Sequence, residues 1–183
     1  MSLPNTVIIP HGATEARLAE WLRSELRTQA VIYHPYGRVE RAVSMKEIGN
    51  ILSSKPFDSV RSMHSRFGEL DYSARTGFRD VMVVPVLDVD LDRRSFGSYR
   101  SGDMFSGFCL GREAVLPVFN DPNMEAVIEK AGYGKVAHDL GEFQEFLDST
   151  DVEEFLERMR SCDSTNMDAL IERLRRFVPS CQR

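Results

Sequence analysis

The stretch 81-VMVVPVLDVDLDRR-94 decides the fold. Its apolar run, Val81 to Leu87, reads as a buried strand, the clearest in the chain. The run empties abruptly into Asp88, Asp90 and Asp92, spaced two apart. In extended backbone alternate residues point the same way, so Asp88 and Asp90 are expected to share one face at the strand's carboxyl end. Carboxylates at contact distance repel each other, and proteins usually tolerate that only where a cation or a proton sits between them. Ordinary solvated acids in a loop are the competing explanation.

Working outward, Thr6 to Pro10 is a short buried strand broken by 10-PHG-12, and a helix is expected over about Thr14 to Thr28, with Leu18, Trp21, Leu22 and Leu26 at helical spacing. Ala30 to Tyr33 is a second strand, ended by 34-HPYG-37. Ser44 with Glu47 forms a capping box for a helix over Met45 to Leu52. Phe57, Val60, Met63 and Phe67 fit one helix, Ser73 to Gly77 a loop, and 93-RRSFGSYRSGDMFSGF-108 a polar, glycine-bearing loop. Ala114 to Phe119 is a fourth strand, followed by a helix from Asn123 to Ala131. Three further helices follow, one around Phe143, Phe146 and Leu147, one capped by Thr150 with Glu153, and a last one striped by Met167, Leu170, Ile171, Leu174, Phe177 and Val178.

This order of elements predicts an α/β domain spanning residues 1–183, a mainly parallel sheet flanked by helices, with residues 140–183 as a helical C-terminal extension packed on it. In open sheets of this kind ligands sit beyond the carboxyl ends of the strands. Both 10-PHGATE-15 and 88-DVDLD-92 lie at such ends.

The composition, 42% hydrophobic and 28% charged over 183 residues, is that of a soluble globular protein. No apolar run approaches the ~20 residues that cross a bilayer. No signal peptide is visible at the N-terminus, and three cysteines without CxxC spacing suggest neither a disulfide framework nor a zinc knuckle. A cytoplasmic location without membrane contact is expected. The net charge of −5 argues against a general electrostatic grip on nucleic acid, although Arg93, Arg94, Arg100 and Arg112 crowd the region after the aspartates. The chain holds no GxxxxGKS, GxGxxG, GxSxG or HExxH motif.

A small cluster of hard oxygen ligands at Asp88, Asp90 and Asp92 suits Mg²⁺ or Mn²⁺. An EF-hand is excluded, because its sixth and twelfth positions would be Arg93 and Tyr99. At the first strand's end, Gly12 permits close backbone approach to a ligand, and Glu15 lies in the first helical turn, where a carboxylate favours the dipole. His11 is either an acid–base group, a metal ligand or a turn histidine with its bonds satisfied. Arginines suit phosphate contacts, so Arg93, Arg94 and Arg100 are candidate substrate contacts, with Phe96 or Tyr99 as stacking platforms.

An apolar strand ending in E-G-x-T-E, a helix, and a later apolar strand ending in D-x-D is the pattern of Toprim domains. The sequence resembles it through 8-IIPHGATE-15 and 84-VPVLDVD-90. Such domains occur in topoisomerases, bacterial primases and the OLD and RloB-like nucleases. The segment 117-PVFNDPNMEAVIEKAGY-133 is also similar to one in small prokaryotic Toprim-related proteins. The resemblance covers about the first half of the chain and the fourth strand, and implies a four-stranded sheet with metal-dependent phosphoryl chemistry on nucleic acid. It assigns Asp88 and Asp90 to Mg²⁺ and Gly12 to the turn, with Glu15 matching the second acid of the OLD and RloB-like form. The glutamate that acts as acid or base is replaced by His11. The expectation is therefore a Mg²⁺- or Mn²⁺-dependent nuclease. Its alternatives are a catalytically silent module that binds nucleic acid or a protein partner in a defence or repair assembly, and a binder or hydrolase of a small phosphorylated molecule; a homo-oligomer is compatible with each.

Overall fold

A computed structural model of the chain describes residues 5–38, 41–89, 92–135 and 139–176. Four strands, β1 (Thr6–Pro10), β2 (Ala30–Ile32), β5 (Met82–Asp88) and β6 (Val118–Asn120), form an all-parallel sheet in the order β2-β1-β5-β6. The strand that ends in Asp88 and the strand that His11 follows are neighbours at its centre, with Ile9 opposite Pro85 and Pro10 opposite Val86. Parallel neighbours need long crossovers, and these carry the helices. Helix α1 (Ala13–Glu25) joins β1 to β2. Helices α2 (Met45–Leu52) and α3 (Val60–Arg66), then a hairpin of β3 (Tyr72–Ser73) and β4 (Gly77–Phe78), lead to β5. Helix α4 (Arg93–Ser101) precedes β6, and α5 (Met124–Ile128), α6 (Leu140–Asp148), α7 (Val152–Arg160) and α8 (Met167–Arg175) follow it.

Period-two alternation divides the core in two. Val7, Ile9, Val83, Leu87 and Phe119 pack against Met45, Ile48 and Leu52 of α2, Met63 of α3 and Tyr99 of α4. Ile8, Val84, Val86 and Val118 pack on the other face against α1, α5, α6, α7 and α8. Asp88 and Asn120 have the parity of Val86 and Val118, so they belong to the face that carries α1 and α5. That parity fixes what surrounds the site.

Several local expectations are corrected. Residues 93–101 form helix α4 instead of a loop, and the helix stops at Gly102, whose φ of 77° lies in the left-handed region that glycine tolerates. Tyr99 is fully buried in α4, with its hydroxyl 2.8 Å from both the Pro85 and Val118 carbonyl oxygens, so it cannot stack on a base. Its single proton is shared between two strands, which pins α4 to the sheet. Phe96 packs edge-on against Phe119, 4.9 Å between centroids. The fourth strand is shorter than predicted, because 112–114 is a 3₁₀ turn and only Val115 bridges Val83 before Pro117 interrupts pairing. Helix α3 covers Val60–Arg66 alone, with Phe57 and Phe67 buried on either side of it. Asp151, not Thr150, caps α7 by accepting from the Glu153 and Glu154 N–H groups.

The C-terminal region is joined to the sheet by more than apolar packing. Thr165 bridges Asn120, and the Asn166 side-chain amide accepts from Phe119 N–H at 2.9 Å and donates to Pro117 carbonyl at 2.9 Å. This covers the outer edge of β6. Arg173 of α8, 5% exposed, pairs with Asp80 and donates to the Asn5 and Asp80 carbonyls beside the entries to β1 and β5. Phe177 and Val178 of the expected stripe lie outside the described residues.

Candidate functional site

The carboxyl ends of β1, β5 and β6 meet the start of α1 and the start of α5. Asp88 ends β5 and is 8% exposed. Its Oδ1 accepts from the Asn120 side-chain amide at 3.0 Å, across the register pair that β5 and β6 share at this position. Its carboxyl is pushed up to about 8, first by burial and then by the charge of Glu15, with Glu125 adding to it; His11 and the Asn120 amide pull the other way. Four groups from three other elements and the turn after β1 therefore surround one buried aspartate.

Glu15 is 3% exposed in the first turn of α1, and its Oε2 accepts from Gly12 N–H at 2.9 Å. This is the cap that the helix start needs, and it also fixes the carboxylate at the sheet end. Gly12 is extended, with φ −152°, so its backbone does not require glycine; a Cβ there would stand 3.6 Å from the Glu15 carboxylate. The absent side chain keeps the approach to Glu15 open. Glu125, in the first turn of α5, accepts from the Thr14 hydroxyl at 3.2 Å, which draws the two helix starts together.

His11 has its Nδ1 2.9 Å from the Val43 carbonyl oxygen. A carbonyl can only accept, so Nδ1 carries the proton and Nε2 holds the lone pair in the neutral ring. Val43 N–H in turn donates to the His11 carbonyl at 2.8 Å, so the segment before α2 is clamped to this residue from both sides.

The other expected residues fall elsewhere. Asp90 lies outside the described residues. The Asp92 carboxylate is turned to Lys46 N–H, 3.4 Å away, at the start of α2. Arg93 pairs with Asp121 at 2.7 Å, directly after Asn120, and Arg94 beside it is exposed. Arg100 lies seven residues on, about 10 Å along α4, with its guanidinium over the Phe119 ring. Arg93 is thus held beside the β6 end of the site, whereas Arg100 lies against Phe119, whose side chain belongs to the other face of the sheet. Arg93 and Arg94 stand at the positive end of α4, which has no acid in its first turn.

Sequence reasoning missed Asn120 and Glu125. The signal available was the 117–133 segment, which contains both, together with the parity of β6. Among the described residues no three His, Cys, Asp or Glu side chains form a ready metal-binding group. A surface concavity of about 830 Å³ beside the end of α1 and β2 includes none of the residues around Asp88.

Protein-family models, curated proteins and solved structures contain no match to this chain. The case for a function therefore rests on the residues around Asp88. No helix among the described residues is long and apolar enough to cross a membrane.

Proposed function

We propose that the protein is a divalent-metal-dependent phosphodiester hydrolase of Toprim type acting on nucleic acid. One observation carries this: a buried Asp88 whose charge is opposed by Glu15 and Glu125 at the carboxyl end of a parallel sheet. Near neutrality such a carboxyl keeps its proton unless a cation replaces it. The donor set is hard oxygen, which fits Mg²⁺ or Mn²⁺; Mg²⁺ in particular keeps several waters and takes few carboxylates, so no closed protein cage is needed. Asp88 would hold the ion, with waters and substrate oxygens completing its shell and Glu15 and Glu125 adding negative charge around it. When bound, it supplies polarisation of a phosphoryl oxygen and an acidified water.

The chain's own residues do the remainder. His11, oriented through Nδ1, offers Nε2 to accept a proton from the attacking water and return it to the leaving oxygen. It replaces a glutamate of the resembled pattern, and Glu125 restores the negative charge lost there. Arg93 and Arg94, in the first turn of α4, bind the phosphate, Arg93 by exchanging its Asp121 partner for it. A second reading, a binding module without hydrolysis, is favoured by His11 and by the hydrogen bonds that Glu15 and Glu125 already accept.

The test is cleavage of single- and double-stranded DNA and RNA with Mg²⁺ or Mn²⁺, with Asp88→Asn and His11→Ala beside the natural protein. Cleavage lost in Asp88→Asn supports the hydrolase. Salt-sensitive binding without cleavage supports the module. Cleavage that survives Asp88→Asn refutes both assignments of Asp88.

A further inference from the structure

We propose that Asn120 is a positioning residue for Asp88, held in place by Thr165 at the entry to α8. The inference rests on the reading of Asp88 as a metal ligand and names the residues that prepare it.

Asp88, Asn120 and Thr165 are consecutive cross-strand neighbours: Asp88 is in register with Asn120, and Asn120 bridges Thr165. Their side chains form one buried chain along that row. The Asn120 Nδ2 donates to Asp88 Oδ1 at 3.0 Å, and the Thr165 hydroxyl lies 3.1 Å from Asn120 Oδ1 and 2.8 Å from the Phe119 carbonyl. Asn120 has no exposed surface, and Thr165 is 7% exposed.

An amide can turn end for end, and a carboxylate facing the amide oxygen would be repelled. The ionised Asp88 carboxylate, which can only accept, therefore draws the amide NH₂ towards itself, and the Thr165 hydroxyl, whose one proton is divided between the Phe119 carbonyl and Asn120 Oδ1, holds the amide in place from the other side. Thr165 is itself fixed, since its Oγ1 accepts from Met167 N–H at the first turn of α8. The backbone repeats the arrangement, with the Asn120 carbonyl accepting from Val89 N–H at 2.9 Å. With Oδ1 committed to Asn120, the carboxylate cannot rotate freely, and the other oxygen is left for the ion. Asn120 and the start of α8 do for Asp88 what outer partners do for ligands in metal sites generally.

The experiment is Mn²⁺ titration of the full chain by calorimetry, for the natural protein and for Asp88→Asn, Asn120→Ala, Thr165→Val and Thr165→Ser. Loss of an outer partner commonly weakens metal binding about 10–100-fold. Asn120→Ala should fall in that range, and Thr165→Val should lose at least about threefold, while Thr165→Ser, which keeps the hydroxyl, binds within about twofold of the natural protein. Thermal melting accompanies each titration, so that weakened binding in a folded variant is separated from unfolding. A second measurement does not depend on Asn120→Ala folding: the Asn120 side-chain amide NMR signals should shift in Asp88→Ala and again in Thr165→Val.

If Asp88→Asn abolishes binding but folded Asn120→Ala and Thr165→Val bind as the natural protein does, the positioning role is overturned and the metal reading stands. Asn120 amide signals that ignore both Asp88→Ala and Thr165→Val overturn it equally. If the natural protein binds no Mn²⁺, or Asp88→Asn binds as well, the metal reading fails and the positioning proposal falls with it.

Discussion

Replacing Asp88 by Asn should change how stability depends on pH, and the structure sets both sign and size. The Asp88 carboxyl is pushed up to about 8 in the folded chain, against about 3.9 when unfolded. Between those values the folded state keeps a proton that the unfolded state has lost. Folding stability therefore falls as pH rises across that window, by at most about 1.4 kcal/mol per pH unit from this one group. Asparagine is nearly isosteric, can still accept from Asn120, and does not titrate. Any fixed cost of the substitution cancels when two pH values are compared. From pH 5 to pH 7.5 the Asp88→Asn protein should gain about 3 kcal/mol relative to the natural one. The assay is urea unfolding of both proteins at half-unit intervals in chelator-treated buffer, with the midpoint and slope fitted at each pH. Curves that stay parallel from pH 5 to pH 8 would refute a buried, proton-holding Asp88. Adding Mn²⁺ at pH 7.5 should stabilise only the natural protein, by about 2.7 kcal/mol at a hundred times the dissociation constant.

Other substitutions probe the surroundings. Glu15→Gln removes the larger of the two opposing charges, so the Asp88 carboxyl should titrate at lower pH in carbon-detected NMR; an unchanged midpoint would remove Glu15 from the cluster. Tyr99→Phe strips the hydroxyl that two strand carbonyls share, and should cost about 1–3 kcal/mol in denaturant unfolding. Asn166→Ala uncovers the β6 edge and should cost about 1–2 kcal/mol, with faster amide exchange at Phe119 as its local sign. Gly12→Ala keeps an extended backbone and should fold normally, yet weaken any binding at Glu15, because its methyl group stands against that carboxylate.

How much of this was legible in the sequence follows from range. β5 was legible because its apolar run is continuous, and the run is continuous because Val83 and Leu87 face one helical layer while Val84 and Val86 face the other. The pairing of His11 and Glu15 with Asp88 was legible because both segments end strands, and ligand chemistry collects at carboxyl ends. Helix α4 was misread because Gly97 and three serines dilute its periodicity. Its real signals were a tyrosine that must be buried and a glycine stop at Gly102. Asn120 and Glu125 could not be read locally at all. Each joins the site only because β6 lies beside β5 and Asn120 falls opposite Asp88, a register that no run of adjacent residues encodes. The same register explains why the C-terminal region is more than a cover. Thr165 bridges the strand position that touches Asp88, so the last helix of the described chain begins three hydrogen bonds away from the proposed ligand. A substitution at the entry to α8 should therefore act on the site without contacting anything bound there.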